Sequence, residues 1–399
     1  MMTGSRISLV RCRGEFCHPT HLYPTSRPDS PPSRHFITAS YDGYIRMFDY
    51  SQNVVFAGSI HDAPVTSLSL DPTSAFKDEG LMIATASHDL TGHLMRVSLD
   101  ADTGSRISST LASLHLHTSP LSSIAYSRSG EHLLTASWDT LIGLWESRIP
   151  EEDEVDTAEA QTDRRKRRKV GGRDSEQRPK RKAPSSVLKS HTARVSKAVF
   201  SSTGKTAFSC GFDSTVRSWD VENALCTNTI VGSKLSLAPE MIPVIFCPSD
   251  QKNLIIVLFF FFFQTASEKP MLSMAVLPDD NSVVSSSADR SVSVYDFRAV
   301  STTLSSATLS FMHLSTPSSV ALSPTSDSQI VTGSYDGMVR LWDLRSTKSA
   351  VASFKVWDGE KKVLVVDSTS APGSGIAGVG GEGGLEVWRV GETATTTAA

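Results

Sequence analysis

Residues 133–145 read Leu-Leu-Thr-Ala-Ser-Trp-Asp-Thr-Leu-Ile-Gly-Leu-Trp, and this stretch decides the fold. A short apolar run is followed by small residues, an aromatic residue and Asp139, and then by an apolar segment that ends in tryptophan. This order predicts two antiparallel strands joined by a tight turn. An earlier copy contains Asp42 followed by Gly43, and this pair favours a two-residue turn because glycine accepts a positive φ without steric cost.

This sequence motif occurs seven times along the chain. Its acids are Asp42, Asp89, Asp139, Asp213, Asp289, Asp336 and, in a degenerate last copy, Glu382. They are separated by 47, 50, 74, 76, 47 and 46 residues, and a period of about 40–45 residues is typical of four-stranded blades. We therefore predict an all-β fold, a seven-bladed WD40 β-propeller over residues 35–390. Residues 1–34 are predicted to be irregular and residues 391–399 to be a disordered tail.

The N-terminal part of the predicted propeller looks incomplete. Residues 23–33 are rich in proline and serine and are therefore predicted to form a loop. Residues 7–12 are the one candidate for a strand before the first repeat. The first blade is accordingly expected to lack a recognisable first strand and an entrance histidine.

Histidines precede four of the acids by similar distances, namely His61, His117, His191 and His313. In WD40 blades the turn aspartate accepts hydrogen bonds, often from such a histidine, because a buried carboxylate without donors is costly. A catalytic interpretation is the alternative, since serine, histidine and aspartate all recur. A catalytic constellation occurs once, in a cleft, whereas this one recurs in most blades. We therefore interpret these residues as structural and expect neither catalytic residues nor a metal site nor a cofactor.

Cysteine content and apolar runs agree with this interpretation. The five cysteines are scattered and form no Cys-x-x-Cys pair, which suits a reducing compartment. Cys12, Cys17, His18 and His21 match no standard zinc spacing, so their proximity is interpreted as coincidence. The longest apolar run, residues 254–263, has about half the length that a bilayer requires, so no membrane segment is predicted.

The first long spacing contains a charged insertion over residues 147–186. Residues 151–163 carry seven acids and no base, and residues 164–182 carry eleven bases against two acids. Such a composition predicts a disordered loop. Two basic clusters are candidates for a nuclear-import signal, although contacts with RNA phosphates or a merely solvated loop are alternatives. The candidates are Arg164, Arg165, Lys166, Arg167, Arg168, Lys169, Lys180, Arg181 and Lys182.

The second long spacing contains residues 231–264, whose removal restores a spacing of 42 residues. The segment begins with Val-Gly and ends with five phenylalanines and a glutamine. Valine codons begin with GT, phenylalanine codons are rich in pyrimidines and glutamine can be CAG, so a translated intron is one explanation. A genuine inserted strand or a hydrophobic loop that binds a partner is the other. We favour the intron, since an exposed run of this kind promotes aggregation.

The amino-acid sequences of the blades resemble those of one family in particular. Residues 39–50, 136–145, 210–220 and 265–270, and the basic loop after the third blade, are similar to the Ytm-type ribosome-biogenesis WD-repeat proteins. The resemblance implies a non-catalytic scaffold of a nucleolar complex, required for maturation of large-subunit rRNA (25S/28S and 5.8S) and for 60S subunit biogenesis. It implies as partners an Erb/BOP-type WD protein, a Nop/Pescadillo-type protein and the pre-60S particle.

Two further expectations follow from this resemblance. Family members carry an N-terminal ubiquitin-like domain that docks on an AAA ATPase. Residues 1–34 do not resemble that domain, so the ATPase contact is not carried over to this chain. Localisation to the nucleus, in nucleolus and nucleoplasm, is expected. The alternative function is a generic WD-repeat adaptor, such as a ubiquitin-ligase substrate receptor or a histone-binding protein.

Overall fold

The fold is seen in a computed structural model, which describes most of the chain. The described residues are 17–25, 33–48, 54–74, 80–99, 106–155, 179–231, 235–237, 240–241, 260–261, 264–266, 269–299, 308–323, 326–346, 349–357, 359–371 and 374–390. Strands dominate them, and residues Phe297–Ala299 form a turn of 3-10 helix. Within this part of the chain, no helix has the length and apolar character needed to cross a membrane.

The first four blades are antiparallel sheets that follow one another along the chain. Blade 1 contains β1 (Cys17–Thr25), β2 (Ser33–Ser40), β3 (Tyr44–Phe48) and β4 (Val54–Ser59). Blade 2 contains β5 (Val65–Leu70), β6 (Leu81–Ser87), β7 (Gly92–Leu99), β8 (Arg106–Leu114) and a later strand, β12 (Lys180–Lys182). Blade 3 contains β9 (Leu121–Tyr126), β10 (His132–Ser137), β11 (Leu141–Glu146) and β13 (Ser186–Lys189). Blade 4 contains β14 (Val195–Phe200), β15 (Thr206–Gly211), β16 (Thr215–Asp220) and β17 (Leu225–Val231).

Three more blades follow the second insertion. Within that insertion lie β18 (Leu235–Leu237), β19 (Glu240–Met241) and β20 (Phe260–Phe261), and β21 (Gln264–Ala266) begins at its last residue. Blade 5 contains β22 (Met271–Val276), β23 (Ser282–Ser287), β24 (Ser291–Asp296) and β25 (Leu309–Met312). Blade 6 contains β26 (Pro317–Leu322), β27 (Gln329–Ser334), β28 (Met338–Asp343) and β29 (Ala352–Lys355). Blade 7 contains β30 (Val363–Ala371), β31 (Ser374–Gly381) and β32 (Gly384–Val390).

The seven blades form a closed ring. Each innermost strand lies beside the innermost strand of the next blade, and β30 of blade 7 lies beside β1 of blade 1. The inner strands of blades 2 to 7 line a central channel with a volume of about 800 Å³. The predicted seven-bladed propeller is therefore confirmed.

Apolar side chains fill the seams between neighbouring blades. Each of six clusters combines residues from two consecutive blades, from the first pair to the sixth and seventh. Trp145, for example, is fully buried and packs with Leu94 of the preceding blade. Burial of one such side chain contributes about 1.5–3 kcal/mol, so the seams hold the ring together.

A belt of hydroxyl groups adds hydrogen bonds across these seams. Thr66 Oγ1 donates to the carbonyl of Leu121 at 2.8 Å, and Ser122 Oγ donates to that of Val195 at 2.6 Å. Two more pairs continue the pattern, Ser196 with Met271 and Ser318 with Val363. Each donor is the second residue of an inner strand, and each acceptor is the first residue of the next one.

The first blade differs from the sequence prediction. Cys17–Thr25 forms β1, which pairs with β2 from Cys17 opposite Ser40 to Thr25 opposite Ser33, with a register shift after Pro19. The blade therefore has four strands, although a loop was expected across Tyr23. A strand can accommodate Pro19 and Pro24 here because only one edge of β1 pairs within its sheet. Residues 7–12 lie outside the described residues, as does Cys12.

The charged insertion is also more ordered than predicted. Lys180–Lys182 form β12, which pairs in parallel with β8 and adds a fifth strand to blade 2. The Asp153 carboxylate accepts the amide of Arg181 at 2.9 Å, and the buried Lys182 ammonium donates to the carbonyl of Arg148. The prediction of disorder for these flanks was therefore wrong. Residues 164–169 of the first basic cluster lie outside the described residues.

The second insertion contributes strands that do not join the described blades. β18 pairs with β21 and β19 pairs with β20, which gives two separate two-stranded sheets. Val231 is the exception, since it ends β17 and lies opposite Thr215. The explanation by a translated intron stays a prediction.

Candidate functional site: the turn face

One end of the propeller carries the seven acidic turns and the loops that connect each blade to the next; we call it the turn face. In blade 3, His117 Nδ1 lies 3.0 Å from Asp139 Oδ2, and His117 Nε2 lies 2.8 Å from Thr135 Oγ1. Trp145 Nε1 donates to the same hydroxyl at 2.9 Å. Because an indole can only donate, the Thr135 proton is free for His117 Nε2, which leaves the Nδ1 proton for Asp139.

Blades 4 and 2 repeat this chain of hydrogen bonds. In blade 4, His191 joins Asp213 at 2.8 Å and Ser209 at 2.7 Å, and Trp219 donates to Ser209. In blade 2, His61 joins Asp89 at 2.6 Å and Thr85 at 2.8 Å. The strand after that turn has no tryptophan, and His93 instead stacks on His61 with ring centroids 4.2 Å apart.

Blades 6 and 1 hold their acids with arginine. His313 bonds Thr332 at 2.9 Å, but Asp336 accepts hydrogen bonds from Arg340 Nη2, at 2.7 Å, and from Ser334. The expected pairing of His313 with Asp336 was therefore wrong, because Arg340 binds that carboxylate instead. Arg46 binds Asp42 in the same way in blade 1.

The remaining acids use simpler partners. Asp289 accepts the amide of Ser291 at 2.9 Å as well as its hydroxyl, and Glu382 accepts the amide of Lys362 at 3.1 Å. An amide two residues after the acid also bonds Asp42, Asp89, Asp139, Asp213 and Asp336, at 3.0–3.2 Å. Six aspartates thus occupy one equivalent turn position.

These donors keep the carboxylates ionised. Burial raises the pKa of Asp89, but the hydrogen bond and the electrostatic attraction from His61, with the bonds from Thr91, outweigh it and lower that pKa to about 2. The same balance lowers the pKa of Asp139, where His117 is the main donor, and that of Asp213, where it is His191. These carboxylates therefore serve as hydrogen-bond acceptors that stabilise the turns.

A second repeated feature of this face is the residue immediately before each acid. In blades 2 to 6 its amide donates to the carbonyl of the residue directly before the inner strand, as in His88 to Pro64 at 3.0 Å, Trp138 to Pro120 at 3.0 Å and Phe212 to Arg194 at 2.8 Å. Its side chain is aromatic in five blades, where it is Tyr41, His88, Trp138, Phe212 and Tyr335. Tyr41, Phe212 and Tyr335 are each 39–40% exposed. Sequence reasoning noted the aromatic position but assigned no role to it.

The other candidate residues lie elsewhere. Lys180, Arg181 and Lys182 belong to β12, at the outer edge of blade 2. Within the described residues, no group of three or more histidine, cysteine, aspartate or glutamate side chains could hold a metal ion. The set Cys12, Cys17, His18 and His21 lies outside this test, since those side chains are not described.

Fold and turn chemistry together define a WD-repeat β-propeller. The model of the WD domain, G-beta repeat, matches residues 108–146, 182–220, 261–296 and 307–343. The chain is 49% identical over 365 residues to "Ribosome biogenesis protein YTM1" of Laccaria bicolor, an alignment that covers 90% of this chain and 72% of the relative. The protein of that name from Coprinopsis cinerea is 45% identical over 363 residues, 90% of this chain and 71% of the relative. That of Saccharomyces cerevisiae is 30% identical over 332 residues, 79% of this chain and 64% of the relative. The chain belongs to this family of ribosome biogenesis proteins.

Proposed function

We propose that this chain is a non-catalytic scaffold in ribosome biogenesis, which holds partner proteins during maturation of large-subunit rRNA and assembly of the 60S subunit. The observation that carries the proposal is the 49% identity to a relative named as a ribosome biogenesis protein, across 90% of the chain. A generic WD-repeat adaptor would not account for that similarity.

The geometry of the turn face supports a scaffold. In blades 2, 3 and 4 the histidine and the acid that could act in acid–base chemistry are bound to each other, and the histidine also bonds a hydroxyl on the second strand of its blade. The arrangement recurs from blade to blade, whereas a catalytic site is built once. Such bonds fix the turns and leave rigid loops for binding.

The partners follow from the family resemblance. We propose an Erb/BOP-type WD protein as the direct partner, in a complex with a Nop/Pescadillo-type protein on the pre-60S particle. We place the complex in the nucleolus and nucleoplasm. Import is assigned to residues 164–169, because the ammonium of Lys182 is buried and bound within blade 2.

Affinity purification of the tagged chain from its own organism tests the proposal. We expect co-purification of Erb/BOP-type and Nop/Pescadillo-type proteins, and accumulation of large-subunit rRNA precursors when the chain is depleted. An unrelated WD propeller with the same tag is the matched control. Recovery of cullin adaptors or histones instead, with normal rRNA processing, would establish the adaptor function and refute the proposal.

A further inference from the structure

We propose that the central channel binds a small oxyanion, of the size of inorganic phosphate, between the inner strands of blades 3, 4 and 5. The ammonium of Lys197 is its main partner, and the hydroxyl groups of Ser123 and Ser273 flank it. This inference is independent of the proposed scaffold function, because it concerns the channel and not a surface for partner proteins.

These three residues occupy the same position in neighbouring strands. Each is the third residue of an inner strand, Ser123 in β9, Lys197 in β14 and Ser273 in β22, and all three line the channel. Each strand has a register shift between its first and third residues, and a bulge of this kind re-aims a side chain. The amide of Ala198 donates to Ser123 Oγ at 3.1 Å, so the Ser123 hydroxyl lies beside blade 4 next to Lys197.

Lysine is exceptional at this position. The third residue of the inner strand is a serine in blades 2, 3, 5 and 6 and a valine in blade 7. The serine hydroxyls of blades 2, 3 and 6 bond the backbone of the next inner strand. An ammonium cannot accept an amide proton as the hydroxyls of Ser67 and Ser123 do. Lys197 therefore does not replace the contact between blades that the serines make.

The Lys197 ammonium has no direct partner in the described part of the chain. It forms neither a hydrogen bond nor an ion pair there, although Asp367 of blade 7 attracts it electrostatically. Burial lowers the pKa of Lys197 in spite of that attraction. A desolvated cation requires nearby negative charge and acceptors. The surroundings of this lysine therefore supply too little of both.

The two serines also have donors to spare. Ser123 Oγ accepts the amide proton of Ala198, and its own proton has no acceptor among the described residues. The Ser273 carbonyl accepts from Ser285 at 3.1 Å, but the Ser273 hydroxyl forms no hydrogen bond with any residue that the structure describes. Three adjacent strands thus present donors without acceptors at one level of the channel. An oxyanion supplies several acceptor oxygens and the missing negative charge.

The channel has room for such an ion. Its volume of about 800 Å³ exceeds that of a few water molecules, each of which takes about 30 Å³. The ion would join blades 3, 4 and 5 by bonds from each of them. Because Leu272 stands in β22 where other inner strands carry a bonding hydroxyl, the ion would add polar contacts beside an apolar position.

Other charged groups of the channel lie mainly at its far mouth. Arg128, Asp280 and Asp327 belong to loops at the end opposite the turn face, where the amide of Ser202 donates to Asp280 at 2.7 Å. Asp367 is the one acid among the described residues of the inner strands that line the channel. Its charge opposes an anion at Lys197, so its removal should strengthen binding.

Calorimetric titration of the full chain with sodium phosphate, at constant ionic strength, tests this inference. Lys197→Met and Ser273→Ala each remove a donor from the site, and Asp367→Asn removes the opposing charge. Lys205→Met is the matched control, because it removes an exposed lysine from a loop of the same blade. Thermal unfolding verifies that each variant is folded. It also provides a second measurement, since a ligand of the native state raises Tm with saturation, whereas the general stabilisation by phosphate affects all variants alike.

We expect the wild type and Lys205→Met to bind one phosphate per chain with affinities within about twofold of each other, and Lys197→Met to bind at least about tenfold more weakly. Ser273→Ala should weaken binding by a smaller factor, and Asp367→Asn should strengthen it. Absence of saturable binding to the wild type would overturn the inference, and so would equal affinity of Lys197→Met and the wild type. If Lys197→Met does not fold, unchanged affinity in both Ser273→Ala and Asp367→Asn would overturn it.

Discussion

Arg340 binds Asp336 through its Nη2 atom at 2.7 Å and so takes the carboxylate that a histidine holds in blades 2, 3 and 4. The ring of the entrance histidine of that blade, His313, contacts Thr332 and the Trp342 ring instead of the acid. The same turn carboxylate is therefore bound by a histidine in some blades and by an arginine in others. Blade stability consequently depends on supplying the carboxylate with donors and not on a particular residue type.

Asp139→Ala tests the hydrogen-bonded turn. We expect the free energy of unfolding to fall by about 1–3 kcal/mol, because His117 Nδ1 and the amides of Thr118 and Leu141 lose their acceptor. Chemical denaturation measures the change. Arg345→Ala, which removes the 74% exposed partner of the ion pair with Asp343, is the control and should have little effect. Equal effects of the two substitutions would contradict the assignment.

Stability should decrease as the pH falls from about 6.5 to about 4. Burial, followed by the charge of Arg340, lowers the pKa of His313 from 6.5 to about 4. The unfolded chain therefore binds the proton first, and the contribution of the neutral ring is complete above pH 6.5 and lost towards pH 4. We expect a loss of about 1–2 kcal/mol between pH 7 and pH 5 from this group. Denaturation of His313→Gln should show a shallower slope, and an unchanged slope would refute the explanation.

The residue after each of the six turn aspartates has a left-handed backbone, and this leads to two predictions of opposite sign. Gly43 has φ +79° and Thr140 has φ +72°. A Cβ atom at Gly43 would lie 2.2 Å from the carbonyl oxygen of His61, so Gly43→Ala should destabilise by about 1–3 kcal/mol. Thr140→Gly should stabilise by about 0.5–1 kcal/mol, since relief of left-handed strain exceeds the entropy that glycine loses. Thermal unfolding measures both, and shifts of the same sign would be inconsistent with the turn geometry.

Nuclear import should depend on one basic cluster and not on the other. Changing residues 164–169 to alanine in a fluorescent fusion should reduce nuclear accumulation. Lys180→Ala with Arg181→Ala is the matched control and should leave import unchanged, because these residues belong to β12. Import that fails only in the control would reverse the assignment. Since a partner can carry the chain into the nucleus, the assay should use cells depleted of the Erb/BOP-type protein.

Deletion of residues 231–264 should leave a folded propeller. Ile230 would then join Thr265, and β17 would lose only its last residue, Val231. The other strands of blades 4 and 5 would be intact, because the short strands near the insertion pair with one another and not with these blades. Solubility, measured as protein remaining after centrifugation, should increase because the apolar run is removed. If the deletion variant loses its folded state or its partner binding, while the full chain is soluble and binds the partner, the segment is a genuine structural or partner-binding part of the protein.

The sequence predicts those parts of the fold that local chemistry determines. The period of the repeat and the turn residues around Asp139 and Asp213 define the blades, because strand alternation and turn geometry depend on near neighbours. β1 was missed because its prolines argue for a loop, and only pairing with β2 makes the segment a strand. β12 was missed because it pairs with β8 across a long insertion, and that contact has no local signature. Arg46 and Arg340 follow their acids by four residues, but so does Arg217, whose neighbour Asp213 is held by His191 at 2.8 Å, so this spacing alone does not identify the turns that arginine holds.

We expect the belt of hydroxyl groups to make the ring respond unevenly to cold. At the second position of the inner strand, blades 2, 3, 4 and 6 supply a hydroxyl that bonds the next blade, whereas blade 5 supplies Leu272. The seam between blades 5 and 6 therefore relies at that position on apolar packing, in the cluster that contains Phe311 and Trp342. Apolar association weakens on cooling. Low temperature should accordingly loosen this seam before its hydrogen-bonded neighbours, and amide hydrogen exchange near 0 °C should be fastest along β26.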